Sequence, residues 1–315
     1  MTTLSSSSLQ LKSPLQLELR IIDACNLDCQ YCYAKPFTGD RMSLDDYTRI
    51  IDEAVEMEVF EIYIAGGEPM AHPNALRFLE YALQRPFTVH LLTNGTLITK
   101  SVAQSIKKML DAPNADLNVH VSLDSVRPEV HNQTRGHFYK VVEGINNLLE
   151  VGITPSIGAV VTDKNIDYVP ELIEHYYPRI KEYNIMTLIL TQEAWKNKTF
   201  LINRDYWEKW HVLRQKLLEL KGLHSDLTIA AMEDISPPHK NADELWNGVC
   251  TAGELRLVVK ANLDVLTCNI APSFIVGNLK KSTLNEVWNS ELLTRMRAVK
   301  HEPFCKPDFE RIRLS

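Results

Sequence analysis

Positive charge is scarce in this chain: Lys and Arg number 34 against 40 Asp and Glu, a formal net charge of −6. The field that draws proteins onto a phosphate backbone is therefore missing, which argues against a dedicated nucleic-acid binder. Long apolar runs are missing too. Stretches such as 157–161 fall far short of the roughly 18 to 20 residues needed to cross a bilayer. The polar start MTTLSSSSLQ has neither the basic nor the apolar region of a secretion signal. A cytoplasmic protein with no membrane partner is expected. Cysteine is also sparse. Six in 315 residues are too few for a disulfide scaffold, yet three fall within eight residues of one another, which points to metal. There is no internal repeat, and the only biased tract is the Ser-rich start.

The length, with 45% hydrophobic and 23% charged residues, suits one large or two modest domains. After a loose arm over 1–14, short apolar runs alternate with amphipathic stretches. They pair as 15–22 with 44–57, 61–65 with 75–84, 88–92 with 101–110, 117–123 with 138–150 and 156–161 with 168–177, and 184–191 closes the series. Strands separated by helices predict right-handed crossovers and a parallel sheet. Six units are too few for a closed eight-stranded barrel, so the expected fold is α/β, a partial (β/α)6 TIM-like barrel with its site at the carboxyl ends of the strands. Ser43 and Thr99 are expected helix caps, and Gly152 suits a helix end. The barrel is expected over 15–200. A linker over 201–244 would hold an aromatic-rich helix near 205–220 and a loop with Pro237, Pro238 and His239. A small C-terminal domain over 245–315 reads as a β-hairpin followed by a helix over 283–299, capped by Ser282 or Thr283.

The strongest local signal is C-N-L-D-C-Q-Y-C, placing Cys25, Cys29 and Cys32 directly after the first strand. Clustered thiolates select zinc or iron-sulfur, and a structural zinc site wants four ligands where three are supplied. On a four-iron cluster, three thiolates would leave one iron open to an exogenous chelator. Three structural cysteines in a loop are the plain alternative. The C-x3-C-x2-C spacing, with the aromatic Tyr31 before the last Cys, resembles the radical S-adenosylmethionine enzymes. That resemblance implies a 4Fe-4S cluster whose open iron chelates the amino and carboxylate groups of S-adenosylmethionine, and a 5′-deoxyadenosyl radical formed by one-electron cleavage.

Further stretches fit the same resemblance. Gly66, Gly67, Glu68 and Pro69 resemble the family's GGEP motif, with glycines that let backbone approach a ligand and a Glu that accepts from a cationic amino group; alone they read as a strand-to-helix turn. Thr93 and Asn94 end the third strand, and Ser122 and Asp124 share a face at the end of the fourth. These resemble ribose and methionine contacts, although Asp124 equally suits a turn cap. Arg135 resembles the arginine that pairs with the methionine carboxylate, for which a planar fork is apt, against a solvated surface charge. Val160 and Val161 face either adenine or the core, with Val161 taken as the adenine contact.

Cys250, Cys268 and Cys305 form a second set within the C-terminal unit. Their surroundings resemble the shortened SPASM domain called twitch, which implies an auxiliary 4Fe-4S cluster. Where that family commonly closes with C-x2-C, this chain has Cys305-Lys306-Pro307-Asp308. Either Asp308 ligates the fourth iron, or that iron stays open, or a cysteine such as Cys250 is a free thiol returning a hydrogen atom to a substrate radical.

The resemblance implies as substrate a ribosomally made precursor peptide that is epimerised, cross-linked or spliced. The short stretch before the first strand suggests that a separate small leader-binding protein is needed, with flavodoxin or ferredoxin as reductant. The alternatives are a dehydrogenase or epimerase of an aminoglycoside-like small molecule, and a non-catalytic iron-sulfur electron carrier. Tyr206, Trp207, Trp210 and Trp195 read as helical core or as a substrate surface. His131, His137 and His239 read as structural histidines or proton-transfer groups. No residue is assigned to contact substrate.

Overall fold

The computed structural model describes residues 11–188, 200–201, 203–231, 252–269 and 274–298. Strands β1 (Gln16–Ile22), β2 (Glu61–Gly66), β3 (Thr88–Thr93), β4 (Asp116–Ser122), β5 (Ser156–Val161) and β6 (Glu182–Thr187) run parallel in sequence order. Between them lie α1 (Leu44–Glu56), α2 (Ala75–Leu83), α3 (Lys100–Met109), α4 (Pro128–Thr134), α5 (Phe138–Glu150) and α6 (Val169–Tyr176). The α/β expectation holds. Strict alternation in the strands explains the layering. In β4, D-L-N-V-H-V-S sends Leu117, Val119 and Val121 to one face and Asn118, His120 and Ser122 to the other. The apolar face joins the helices in one core with Leu17, Ile62, Val89 and Ile157. The opposite, inner face carries Glu61, Tyr63, His90, Asn118 and His120, which are only partly buried, and the buried Ser156.

Capping follows the local sequence. Ser43 accepts from the Asp46 N–H ahead of α1, and Thr99 accepts from the Val102 N–H ahead of α3. Gly152, at φ +79°, turns the chain after α5. The short helix α4 falls between the fourth strand and the helix expected over 138–150. It starts at Pro128, where a missing N–H costs nothing.

The segment expected as a linker contributes to the sheet. Helix α7 (Arg204–Leu223) leads into β7 (Thr228–Ala231), a seventh strand parallel to β6. The C-terminal hairpin does not stand apart either. β8 (Arg256–Val259) pairs in parallel with β1, and β9 (Asp264–Leu266) and β10 (Ile275–Asn278) follow antiparallel, so one sheet runs β10-β9-β8-β1-β2-β3-β4-β5-β6-β7. Leu284 N–H donates to Glu53 Oε2 at 2.6 Å and Arg49 Nη2 to Leu279 O at 2.9 Å, tying this unit to α1. The helix expected over 283–299 breaks at Asn289 into α8 (Leu284–Trp288) and α9 (Glu291–Ala298), with Thr283 and Glu286 forming a full capping box. Among the described residues no helix is long and apolar enough to cross a membrane.

Candidate cofactor site at the carboxyl edge of the sheet

Residues 23–42, carrying Cys25, Cys29 and Cys32, leave the end of β1 and lie against the turn after β2. Gly67 N–H donates to Ile22 O and Glu68 N–H to Ala24 O, both at 2.9 Å. A Cβ at Gly66 would stand 2.4 Å from Ile22 O, and one at Gly67 only 2.2 Å from Ala24 O. The close approach these glycines allow within the chain is to the end of β1 at Gly66 and to the backbone of the cysteine loop at Gly67. The reason is register: β1 and β2 end side by side, so the two loops must cross. Pro69 is buried and opens a short 3-10 turn that Glu68 caps.

Glu68 is 1% exposed. Its carboxylate accepts from Thr93 Oγ1 at 2.7 Å, Asn94 N at 2.7 Å and Met70 N at 3.0 Å. Burial drives its pKa up to about 7, and the three hydrogen bonds only partly offset that. No cation is among these partners, so the carboxylate is a buried anion suited to an ammonium group. Thr93 acts on Glu68, not on open space. Asn94 is likewise occupied: it donates to Asn26 Oδ1 at 3.0 Å and accepts from Thr96 N and Oγ1 at 2.9 and 2.6 Å. Ser122 sits half-buried on the inner face, and its hydroxyl makes no hydrogen bond among the described residues.

Asp124 is fully buried and engaged on all sides. Tyr31 Oη donates to it in a short hydrogen bond, Thr134 Oγ1 donates at 2.7 Å and Val160 N at 3.1 Å. Arg135 Nε lies 3.0 Å from Oδ1, over the Tyr31 ring. Burial pushes the Asp124 pKa up, but Arg135, His131, Tyr31 and Thr134 outweigh it and hold the carboxyl below the usual range. Asp124 thus binds protein, aligning Tyr31 and Arg135, and has no face left for a ligand. Arg135 differs. Its side chain is 11% exposed, and the Nε–H is not aligned on any acceptor despite the short ion pair. It lines a cavity of about 510 Å³ with Cys25, Asn26, Leu27, Gln30 and Thr134, a volume in the range of small-molecule sites.

Val161 is corrected by the structure. Its side chain is fully buried on the helix-covered face, and its carbonyl accepts from Tyr206 Oη at 3.0 Å. Val160, one residue back and so on the inner face, packs against Tyr31, Leu188 and Phe200. Tyr206 and Trp210 belong to the core, while Trp195 and His239 lie outside the described residues. His131 is buried, with Nδ1 accepting from Asp124 N and Nε2 donating to Gly136 O, a structural role that burial supports by lowering its pKa to about 4. Two residues that sequence reasoning missed complete the site: Thr134, and Asn165, whose Nδ2 donates to Asp124 O at 3.0 Å and Val160 O at 2.9 Å. Thr134 was legible only as a neighbour of Arg135.

The three thiols fit an iron-sulfur cluster. Burial raises the Cys25 pKa to about 11 and raises that of Cys29, and the neighbouring thiolates add to both shifts, so these two stay protonated until metal takes the sulfurs. Among the described residues no three His, Cys, Asp or Glu side chains converge on a single ion. A cubane takes one sulfur at each of three irons and asks for wider spacing. In the second set, Cys250, Cys305 and Asp308 lie outside the described residues. Cys268 is half-buried just after β9, and its neighbour Asn269 donates from Nδ2 to both carboxylate oxygens of the buried Glu18 of β1, at 2.9 and 2.7 Å.

The family model of the radical SAM superfamily matches residues 19–176, half of the chain, and the chain belongs to that superfamily. Residues 250–307 match the SPASM model, an iron-sulfur cluster-binding domain; the match takes in Cys250, Cys268 and Cys305 and stops one residue before Asp308. Its cofactors are thus a 4Fe-4S cluster, S-adenosylmethionine and an auxiliary cluster. The chain is 27% identical over 316 residues to the mycofactocin maturase MftC of Mycolicibacterium smegmatis, covering 94% of this chain and 75% of that protein. It is 26% identical over 327 residues to the antilisterial bacteriocin subtilosin biosynthesis protein AlbA of Bacillus subtilis, covering 98% and 67%. Among solved structures, Streptococcus suis SuiB bound to precursor peptide SuiA superposes with a TM-score of 0.76 at 19% identity, covering 92% of this chain and 68% of that one. Native anSMEcpe with bound AdoMet gives 0.71 at 19%, covering 92% and 84%. These likenesses establish the partial-barrel fold.

Proposed function

We propose that this chain is a radical enzyme that modifies a ribosomally made precursor peptide. The observation that carries the reading is the inner face, a band of half-buried polar side chains running from Glu61 through His90 to His120 and ending on the buried Ser156, directly below the cofactor edge. His90 Nδ1 and His120 Nε2 share a hydrogen bond at 2.9 Å, and Ser156 Oγ bonds His120 Nδ1 at 2.5 Å. A parallel sheet buried on both faces would be apolar here; a polar face without helices suits an extended chain with its own amide groups to satisfy. The names of MftC and AlbA and the peptide-bound form of SuiB point the same way.

In this reading Cys25, Cys29 and Cys32 hold the cluster, which, once bound with S-adenosylmethionine, supplies the one-electron cleavage that makes a 5′-deoxyadenosyl radical. Glu68 receives the methionine amino group, as a buried carboxylate lacking a cation should. Arg135 receives the methionine carboxylate, with Asp124 fixing its direction and Tyr31 carrying the cysteine loop to the same anchor. Ser122 offers a free hydroxyl to the ribose, and Val160 with Tyr31 offers an apolar wall to adenine. Cys250, Cys268 and Cys305, with Asp308 as a further candidate, hold the auxiliary cluster in a C-terminal unit over 245–315. A separate leader-binding protein and a flavodoxin or ferredoxin act with the enzyme. The test is anaerobic reconstitution with reductant and S-adenosylmethionine, with and without short peptides encoded beside the gene. A mass change in one peptide together with 5′-deoxyadenosine is expected. Deoxyadenosine formed while every peptide stays unmodified would remove the substrate assignment, and Cys29→Ala retaining deoxyadenosine formation would remove the cluster assignment.

A further inference from the structure

The turn after β3 holds an amide whose placement the cofactor reading leaves unused. Asn94 is 8% exposed, and each polar atom of its side chain has a partner. The oxygen accepts from both Thr96 N and Thr96 Oγ1, which fixes the plane of the amide and settles which end is nitrogen. One N–H goes to Asn26 Oδ1 at 3.0 Å, and Nδ2 also lies 3.8 Å from Cys25 Sγ, within hydrogen-bond reach of sulfur. The residue's own main-chain N–H is tied to Glu68 Oε2 at 2.7 Å. Four constraints thus hold one amide against one cysteine sulfur. Only one other donor to that sulfur is found among the described residues, the Leu27 N–H at 3.4 Å.

We propose that Asn94 is a positioning residue that sets the reduction potential of the radical-generating cluster through a hydrogen bond from Nδ2 to Cys25 Sγ. This rests on Cys25 being a cluster ligand. The physical argument is that donors to a ligating sulfur withdraw charge from it and stabilise the reduced, more negative cluster over the oxidised one. The donor must be oriented in advance to have this effect, and the Thr96 and Asn26 bonds supply that orientation. The same residue touches the Glu68 carboxylate through its backbone, so an ammonium bound at Glu68 and the sulfur at Cys25 meet one residue, the first at its main-chain N–H and the second at its side chain.

The test is an EPR-monitored redox titration of the reconstituted holoenzyme, run without and with S-adenosylmethionine. Asn94→Ala and the isosteric Asn94→Asp both remove the donor. Each should lower the midpoint, so that at the wild-type midpoint the ratio of reduced to oxidised cluster falls about tenfold, or about 59 mV for one electron. A wild-type midpoint in variants with full iron content would overturn the proposal. A second measurement needs no variant: in wild-type enzyme labelled with 15N-asparagine, pulsed EPR of the reduced cluster should detect a 15N coupling. Absence of that coupling beside a normal cluster signal would equally overturn it, whereas absence of any cluster signal would instead strike the assignment of Cys25 as a ligand.

Discussion

Replacing Glu68 with glutamine keeps the side chain's shape and removes a charge that the fold buries. The carboxyl of Glu68 moves from an ordinary 4.5 to about 7, chiefly through burial. Between those two values the folded chain holds a proton that the unfolded chain has released, so wild-type stability falls as pH rises through that window. At about 1.4 kcal/mol per pH unit the loss reaches ~3 kcal/mol, complete above pH 7. Glu68→Gln cannot show it. The amide has one acceptor oxygen in place of two, and leaving one of Thr93, Asn94 or Met70 without a partner costs about 1–3 kcal/mol at every pH. The difference in unfolding free energy, variant minus wild type, should therefore start negative near pH 4 and rise by ~3 kcal/mol by pH 8. Urea titrations across that range, on reconstituted protein without S-adenosylmethionine, read it directly. His120 and His131, both with pKa lowered to about 4 by burial, titrate alike in both proteins and cancel. At pH 8 saturating S-adenosylmethionine should return the lead to wild type, because ligand at 100 times its Kd adds about 2.7 kcal/mol only where it binds. A flat difference curve would refute the reasoning about the buried charge. Equal stabilisation of both proteins by S-adenosylmethionine would refute the role of Glu68 toward the ammonium.

Gly67→Ala puts a methyl 2.2 Å from Ala24 O; the cysteine loop must move, and iron incorporation measured after reconstitution should fall sharply, with retention of normal iron counting against the crossing of the two loops. Asp124→Asn leaves Arg135 a buried cation without its anion, so stability should drop by about 3–5 kcal/mol in chemical denaturation; a loss under 1 kcal/mol would mean the pair is solvated. Cys268→Ala should lower bound iron from about eight atoms per chain to about four while the radical-generating cluster keeps its EPR signal. Unchanged iron would remove Cys268 from the auxiliary site.

The parallel sheet was legible because alternation such as D-L-N-V-H-V-S and the helices between strands leave few other solutions, and the cysteine triplet because its spacing is rare. Other features depended on tertiary placement. Val160 and Val161 are adjacent and alike, so only the strand's register decides which reaches the inner face. The glycines of the GGEP turn correctly implied a close approach, but not whether the approaching atom belonged to a ligand or to Ala24. Asp124 reads as a ligand contact or turn cap, because sequence spacing cannot reveal that Tyr31, the adjacent Thr134 and Arg135, and Val160 converge on one carboxylate from three segments. β7 hid in a stretch of unremarkable composition, since T-I-A-A is too short to carry a period. The pairing of β8 with β1 was invisible for a related reason: a parallel contact between residues 16 and 256 leaves no local trace.

That last pairing has a temporal side. During synthesis β1 emerges first, gains β2 within some forty residues, and must then wait until residue 256 has left the ribosome before its other edge is closed. Through that interval a bare strand edge adjoins three reduced thiols, an arrangement open to misjoining and to premature oxidation. Iron delivery after the hairpin has docked, and chaperoning before it, are the natural order of assembly for such a topology. Expression at low temperature, with iron and sulfide supply matched to slow translation, follows as the practical route to intact protein.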